Sequence, residues 1–506
     1  MTEGAARVRI VIDPAFAVAP IDPRLMGSFV EHMGRAVYGG IFEPGHPAAD
    51  ADGWRTDVLR LVRELGVTVV RYPGGNFVSG YDWEDGVGPR ERRPVRRDLA
   101  WRSLESNRVG TDEFLAWARL AGVEPIMAVN LGTRGIDAAR ALVEYCNGGA
   151  GSRWSDLRVA NGRPDPWDVR LWCLGNEMDG PWQVGHKTAV EYGRLANEAG
   201  KAMRLVDPSI ELVLCGSSND GMATFGAWDD TVLDLAWEVT DHLSVHRYFD
   251  PADQPDDASW LAVPASFERQ IRSVIATADA VAARRKSRKR ISLAVDEWNV
   301  WHVRDNPHSQ SPAVPFRHAP AIAEDSYTLA DALVVGGLLL VLLRNADRVR
   351  IGCLAQLVNV IAPIRTRDGG PAWREAIYHP VRDVFTGARG TVLRTEPEGP
   401  RLRTESGEEV PVCDAVTVHD AAAGTVTLFA LNRGTTPVAL EAPVRDLGPL
   451  RVTSHTVLTG PDLRAVSTPE DPERVVPRAG SGAVVDGGVL RATLPPSSWT
   501  TIRLGA

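Results

Sequence analysis

Two apolar runs in this chain end in a glutamate. One is Leu171-Trp172-Cys173-Leu174-Gly175-Asn176-Glu177, followed at once by Met178, Asp179, Gly180, Pro181 and Trp182. The other is Ile291-Ser292-Leu293-Ala294-Val295-Asp296-Glu297, followed by Trp298 and Asn299. Buried parallel strands read as continuous apolar runs, and in an α/β barrel the C-terminal ends of the strands are the usual catalytic positions. Two carboxyl groups delivered by two strand ends suit glycoside hydrolysis. One protonates the leaving oxygen, and the other attacks the sugar carbon or activates water, at ~5–5.5 Å separation for retention and ~6.5–9.5 Å for inversion. The pair needs two different environments. Glu177 lies in sequence among Trp172, Met178 and Trp182, company that suits a carboxyl kept protonated, whereas Glu297 should be ionised and held by donors.

Other strand ends carry polar side chains in the same register. Glu31 closes the first apolar run. Arg71-Tyr72-Pro73-Gly74-Gly75-Asn76 closes the second, and its glycines permit a tight turn that presents Asn76 to a ligand. His246 and Tyr248 share a face of the sixth run, and Gln356 lies in the eighth. A carbohydrate needs such a ring of donors and acceptors, and Trp101, Trp182, Trp298 and Trp301 offer faces on which sugars stack. Singly, each of these reads more readily as a satisfied core residue; it is their coincidence at strand ends that points to a site. His242 and His246 have neither the spacing of a helix face nor that of a metal loop, and no H-E-x-x-H occurs, so no metal is expected. Gly216-Ser217-Ser218 does not form a G-x-S-x-G nucleophile elbow.

These residues must be positioned by an alternation of strands and helices. Strands are expected over Met26–Glu31, Val67–Tyr72, Pro125–Asn130, Arg170–Asn176, Glu211–Gly216, His242–Tyr248, Ile291–Glu297 and Gly352–Leu357. Between them lie helical patterns. Trp54, Val58, Leu61, Val62 and Leu65 fall on one face, and Phe114, Trp117, Ala118 and Ala121 on another. Thr188-x-x-Glu191 is a capping box for a helix that Asp207-Pro208 closes, and Asp112 and Glu113 favour a helix start after Thr111. Eight such units indicate a (β/α)8 barrel over 20–386. A doubly wound open sheet is the alternative, but no G-x-G-x-x-G follows any strand. After about Thr386 short β-type runs, Val426–Leu431, Val452–Leu458, Val489–Leu494 and Trp499–Leu504, are separated by Gly, Pro and acidic turns. They indicate an all-β sandwich or jelly roll over 387–506. Val8–Ile12 is an isolated β-branched run within 1–19 and is expected to join that sandwich.

At 506 residues the chain is long enough for two domains. Its net charge of −9 and the lack of a Lys/Arg stripe interleaved with aromatics argue against nucleic acid. Met1–Arg9 lacks the apolar core of a secretory leader. Ala332–Leu343, the most hydrophobic run, is too short to span a bilayer and reads as a buried helix, so no membrane is expected. Cys146, Cys173, Cys215, Cys353 and Cys413 are scattered and odd in number, which disfavours disulfides and structural zinc. A cytoplasmic protein is the expectation.

The sequence resembles glycoside hydrolase family 51, specifically its intracellular α-L-arabinofuranosidases, along almost its whole length. The resemblance is carried by Gly27-Ser28-Phe29-Val30-Glu31-His32, Arg71 to Phe77, Gly175 to Gln183, Val295 to Trp301, and Cys353 to Pro363. Leu494-Pro495-Pro496-x-Ser498-Trp499-Thr500 resembles the end of the family's β-sandwich. It implies a retaining exo-enzyme that needs no metal or organic cofactor, acts on arabinofuranosyl oligosaccharides and forms homo-oligomers, often hexamers. By carry-over Glu177 is the acid/base and Glu297 the nucleophile. Glu31, Asn76, Asn176, Tyr248 and Gln356 hold the furanose hydroxyls or the nucleophile, and Trp101 borders the pocket. Tyr248 is expected to hydrogen-bond Glu297. A β-xylosidase or endo-glucanase on the same scaffold, or a catalytically silent carbohydrate-binding protein, is the alternative. His302–Ala323, rich in Pro and His, reads as a long loop.

Overall fold

Eight parallel strands close into a barrel in the computed structural model, which describes residues 6–304 and 313–506. They are β1 (Gly27–Phe29), β2 (Val69–Tyr72), β3 (Glu124–Val129), β4 (Leu171–Leu174), β5 (Glu211–Leu214), β6 (His242–Phe249), β7 (Ser292–Val300) and β8 (Val349–Leu354). Each pairs with the next, and β8 returns to β1 through Cys353–Gly27 and Leu354–Ser28. All eight expected strands are present. The first and last stop sooner than their apolar runs, so Glu31 and Gln356 stand in the loops just past β1 and β8. Part of the expected loop His302–Ala323, residues 305–312, lies outside the described residues.

Helices pack around the barrel on the faces their periodicity marks. Thr56–Leu65 buries Val58, Leu61, Val62 and Leu65, and Thr111–Ala121 buries Phe114, Trp117, Ala118 and Ala121. Ala189–Val206 starts on the capping box of Thr188 and Glu191. Leu329–Arg344 has no polar face; every residue from Leu329 to Leu343 is buried. It lies between the barrel and the strands that follow it, touching Cys413–Asp420, Thr425–Asn432 and Ser498–Gly505. A helix covered on all sides needs apolar residues all round.

The C-terminal part is a two-sheet β-structure. Its seven-stranded sheet runs Ala17–Pro20, Thr391–Leu393, Cys413–Asp420, Thr425–Asn432, Ser498–Gly505, Arg451–Leu458, Arg478–Ala479. A five-stranded sheet faces it. There Ala6–Val11 lies between Glu396–Glu398 and Val438–Pro443, which puts Val8 and Ile10 into a core with Leu428, Leu440, Leu490 and Ile502. Both N-terminal strands thus belong to sheets formed some 400 residues later, by the numbering of their partners. The five cysteines are buried and unpaired. Among the described residues no helix is long and apolar enough to cross a membrane.

Candidate active site

The barrel's regular alternation is broken where the catalytic candidates sit. Ser244 pairs with Ala294 but His246 with Glu297, so two steps along β6 match three along β7. Such an extra residue re-aims side chains. Here it brings Asp296 and Glu297, neighbours that would otherwise face opposite sides, onto the same buried guanidinium. Arg71 of β2 reaches Glu297 Oε1 through Nη1 at 2.7 Å and Asp296 Oδ2 through Nε at 3.1 Å. Its Nη2 donates to Asn176 Oδ1 at 2.7 Å.

Glu177 follows β4 on a turn in which Gly175 and Glu177 itself take positive φ, 88° and 42°. Its Oε1 lies 2.9 Å from His246 Nδ1, and its Oε2 accepts from the Trp182 indole N–H at 2.7 Å. Trp172 is elsewhere. Its indole donates to the Val169 carbonyl at 3.0 Å, at the other end of β4. The apolar company expected for Glu177 is therefore corrected to a polar one, because side chains alternate along a strand and the chain turns sharply after it. Tyr248 O–H donates to Glu297 Oε2 at 2.9 Å. One carboxylate oxygen of Glu177, one of Glu297 and a ring nitrogen of His246 all lie within 4.8 Å of one another.

Glu31 completes the floor. Its Oε1 accepts from Phe77 N–H at 2.9 Å and the Trp101 indole N–H at 2.7 Å, while its backbone N–H donates to Gln356 Oε1 at 3.1 Å. Burial, and then the charge of Glu297, raise this carboxyl from 4.5 to about 8. Gly75 makes the approach possible. A Cβ there would lie 2.9 Å from Glu31 Oε2 and 3.2 Å from Glu297 Oε1. Burial also penalises charge on Asp296, yet Arg71 and His246 outweigh it and hold this carboxyl down to about 2. Burial opposes charge on His246 as well, but Glu297 and Asp296 raise it well above the ordinary histidine value.

A cavity of about 670 Å³ opens over this floor, within the range of small-ligand pockets. Glu31, Asn76, Trp101, Glu177, Tyr248, Glu297 and Gln356 all line it. Asn176 and His246 do not; they are 1 % and 2 % exposed and act from beneath, on Arg71 and on the two glutamates. Trp298 is a correction. It is fully buried in the apolar core and touches no part of the cavity, since the residue after an inward Glu297 faces away from the barrel axis. Trp182 and Trp301, by contrast, line the cavity. Arg71 and Asp296 were within reach of sequence reasoning, since each is a charge set in an apolar strand. The cavity wall formed by Ser218, Asn219, Asp220 and Arg247 left no comparable signal.

Glu177, His246 and Glu297 have the donor types of a metal site. Arg71 already supplies the counter-charge to Glu297 at 2.7 Å, so a cation there would have to compete with a fixed guanidinium. His242 sits apart from His246, against Glu211 Oε2 at 3.1 Å.

A (β/α)8 barrel whose β4 and β7 bring oxygens of two carboxyl groups within 4.8 Å of each other has the makings of a glycoside hydrolase. Comparison with known proteins narrows the class. Residues 61–260 match the model of the α-L-arabinofuranosidase 1 domain, and residues 296–498 that of the α-L-arabinofuranosidase C-terminal domain. An intracellular exo-α-(1→5)-L-arabinofuranosidase of Halalkalibacterium halodurans is 52% identical over 98% of each chain. An exo-α-(1→6)-L-arabinofuranosidase of Bifidobacterium longum is 46% identical over 98% of this chain and 97% of its own. The solved structure of AbfB, a family 51 α-L-arabinofuranosidase from Bifidobacterium longum, superposes with a TM-score of 0.94 at 45% identity, covering 98% of this chain and 99% of that one. The chain belongs to the α-L-arabinofuranosidases of glycoside hydrolase family 51.

Proposed function

We propose that this chain is a retaining, exo-acting α-L-arabinofuranosidase that releases non-reducing terminal α-L-arabinofuranosyl residues from arabinose-containing oligosaccharides. The observation that carries the reading is the carboxyl pair, with oxygens of Glu177 and Glu297 within 4.8 Å across one cavity. Glu297 is the nucleophile. Its oxygens accept from Arg71 and Tyr248, donors that suit an attacking carboxylate and aim it. In the first step a Glu297 oxygen bonds the anomeric carbon while the bond to the leaving oxygen breaks, and Glu177 gives that oxygen its proton. In the second step Glu177 takes a proton from water, the water oxygen bonds the anomeric carbon, and Glu297 leaves. Glu31, Asn76 and Gln356 meet the furanose hydroxyls, Trp101 borders the ring, and Asn176 and His246 hold the machinery from below. No cofactor enters either step.

The relatives' names differ in linkage, (1→5) for one and (1→6) for another of comparable identity, so linkage preference varies within the family. An intracellular location agrees with the name of the first relative. A homo-oligomer, a hexamer by family resemblance, is the assembly we propose, and light scattering at micromolar concentration tests it. Proton NMR during early turnover tests the mechanism. The first-formed arabinose should be the α-anomer; a β-anomer formed first overturns the double displacement.

A further inference from the structure

Trp182 lines the cavity, yet its indole N–H is committed to Glu177 Oε2 at 2.7 Å rather than to the open space. The turn between the two residues is shaped around that bond. Gly180 N–H donates to the Glu177 carbonyl and Gln183 N–H to the Gly180 carbonyl, each at 2.9 Å. The Gln183 side-chain amide donates to Ser79 Oγ and, at 3.4 Å, to the Asn76 carbonyl, tying the turn to the loop after β2. The indole folds back over Gly180 so closely that a Cβ there would lie 2.5 Å from Trp182 Cε2 and 2.9 Å from Nε1. His246 occupies the other oxygen, Oε1.

Resting on the assignment of Glu177 above, we propose that Trp182 is a positioning residue for the acid/base, whose indole N–H holds Oε2 and stabilises the carboxylate left after proton transfer. An indole N–H donates and cannot accept. Its bond to a carboxyl group therefore strengthens as that group loses its proton. In the first step the proton passes from Glu177 to the glycosidic oxygen as the bond to the anomeric carbon breaks, and the bond to Trp182 gains most at that moment. A leaving group that departs without protonation, such as nitrophenolate, draws little on it; a sugar hydroxyl draws on it fully. Glu177 is faced also by Asp179 of its own turn, His246 and Tyr248 of β6, and Glu297 of β7, with Arg71 of β2 behind Asn176. Neither substitution below alters any of these.

The test uses the full-length enzyme with Trp182→Phe, which removes the donor, and Gly180→Ala, which pushes the indole off Glu177 without changing its chemistry. Each is assayed on 4-nitrophenyl α-L-arabinofuranoside and on an arabino-oligosaccharide across pH, beside Glu177→Ala. Both variants should lose up to about a hundredfold in kcat/KM on the oligosaccharide and only a few-fold on the nitrophenyl substrate. The alkaline limb of kcat/KM should move to higher pH, because a donor that favours the charged carboxylate is gone. An unmoved limb with equal losses on both substrates would make Trp182 a wall of the pocket and overturn the inference. If Glu177→Ala itself shows equal losses on both substrates and no rescue by azide, the assignment of Glu177 falls, and this inference with it.

Discussion

Charge at the floor of the cavity is concentrated on a few side chains. Glu31, Glu177, Asp296 and Glu297 converge there, with Arg71 and His246 as the only positive partners among their described contacts. A charge buried without a partner is costly, and removing one member of a buried pair commonly costs 3–5 kcal/mol, on the order of a third or more of a domain's stability. Glu31 offers a test with a definite sign. Its folded-state value of about 8 lies above its ordinary 4.5, so the folded chain keeps a proton that the unfolded chain releases. Its contribution to stability is present in full below about pH 4.5 and declines as pH rises towards 8, by up to about 1.4 kcal/mol per unit. Glu31→Gln removes this dependence. The variant's melting temperature relative to wild type should climb steadily from pH 5 to pH 8; a difference that stays constant with pH would contradict the protonated Glu31.

At the scale of elements, the loops after β2 and β4, together with β7 itself, set the distances on which the chemistry depends. Gly75, after β2, separates the Glu31 and Glu297 carboxyls with no side chain of its own. Gly75→Ala should reduce kcat/KM by at least about tenfold, since a displacement near 1 Å can cost about a hundredfold. Its melting temperature should change by only a few degrees, so calorimetry beside the kinetics separates lost geometry from lost fold. Retained activity would mean that the two carboxyls tolerate being pushed apart. The strands and the carboxylates they deliver to the cavity were legible in sequence because an apolar run ending in a carboxylate is a local pattern. The extra residue of β7 was not, since it is defined only by which residues of β6 stand opposite. Arg71 and Asp296 stood out as single charges in apolar strands, but that they pair with each other did not. Their burial is tolerable only once β2, β6 and β7 assemble around them, and no local feature announces such a partnership. Trp298 misled because its place beside Glu297 in sequence becomes the opposite face in a strand.

The whole molecule depends on contacts between the two ends of the chain. Val8–Ile12 could be read as a strand lacking a local partner, but its register between Glu396–Glu398 and Val438–Pro443 had no trace in its own residues. Removing residues 1–12 would expose the sandwich core that Val8, Ile10 and Ile12 cover. At about 1.5–3 kcal/mol for each buried aliphatic side chain, the truncated chain should unfold at lower temperature and be cut by protease in its C-terminal part first. Unchanged stability would mean that the strand is dispensable. The helix Leu329–Arg344 makes the complementary point. Its apolar run was plain in sequence, whereas the layer it would be buried against, strands some 70 to 170 residues later, was not.

The central assignment is Glu297 as the proposed nucleophile towards an α-L-arabinofuranoside. Hydrolysis of 4-nitrophenyl glycosides by wild type and Glu297→Gly, with and without azide, tests it in one experiment. Wild type should cleave the α-L-arabinofuranoside, the variant should not, and azide should restore cleavage with release of a glycosyl azide of inverted configuration. Cleavage of the β-xyloside or β-glucoside in its place, or undiminished activity in Glu297→Gly, would contradict it.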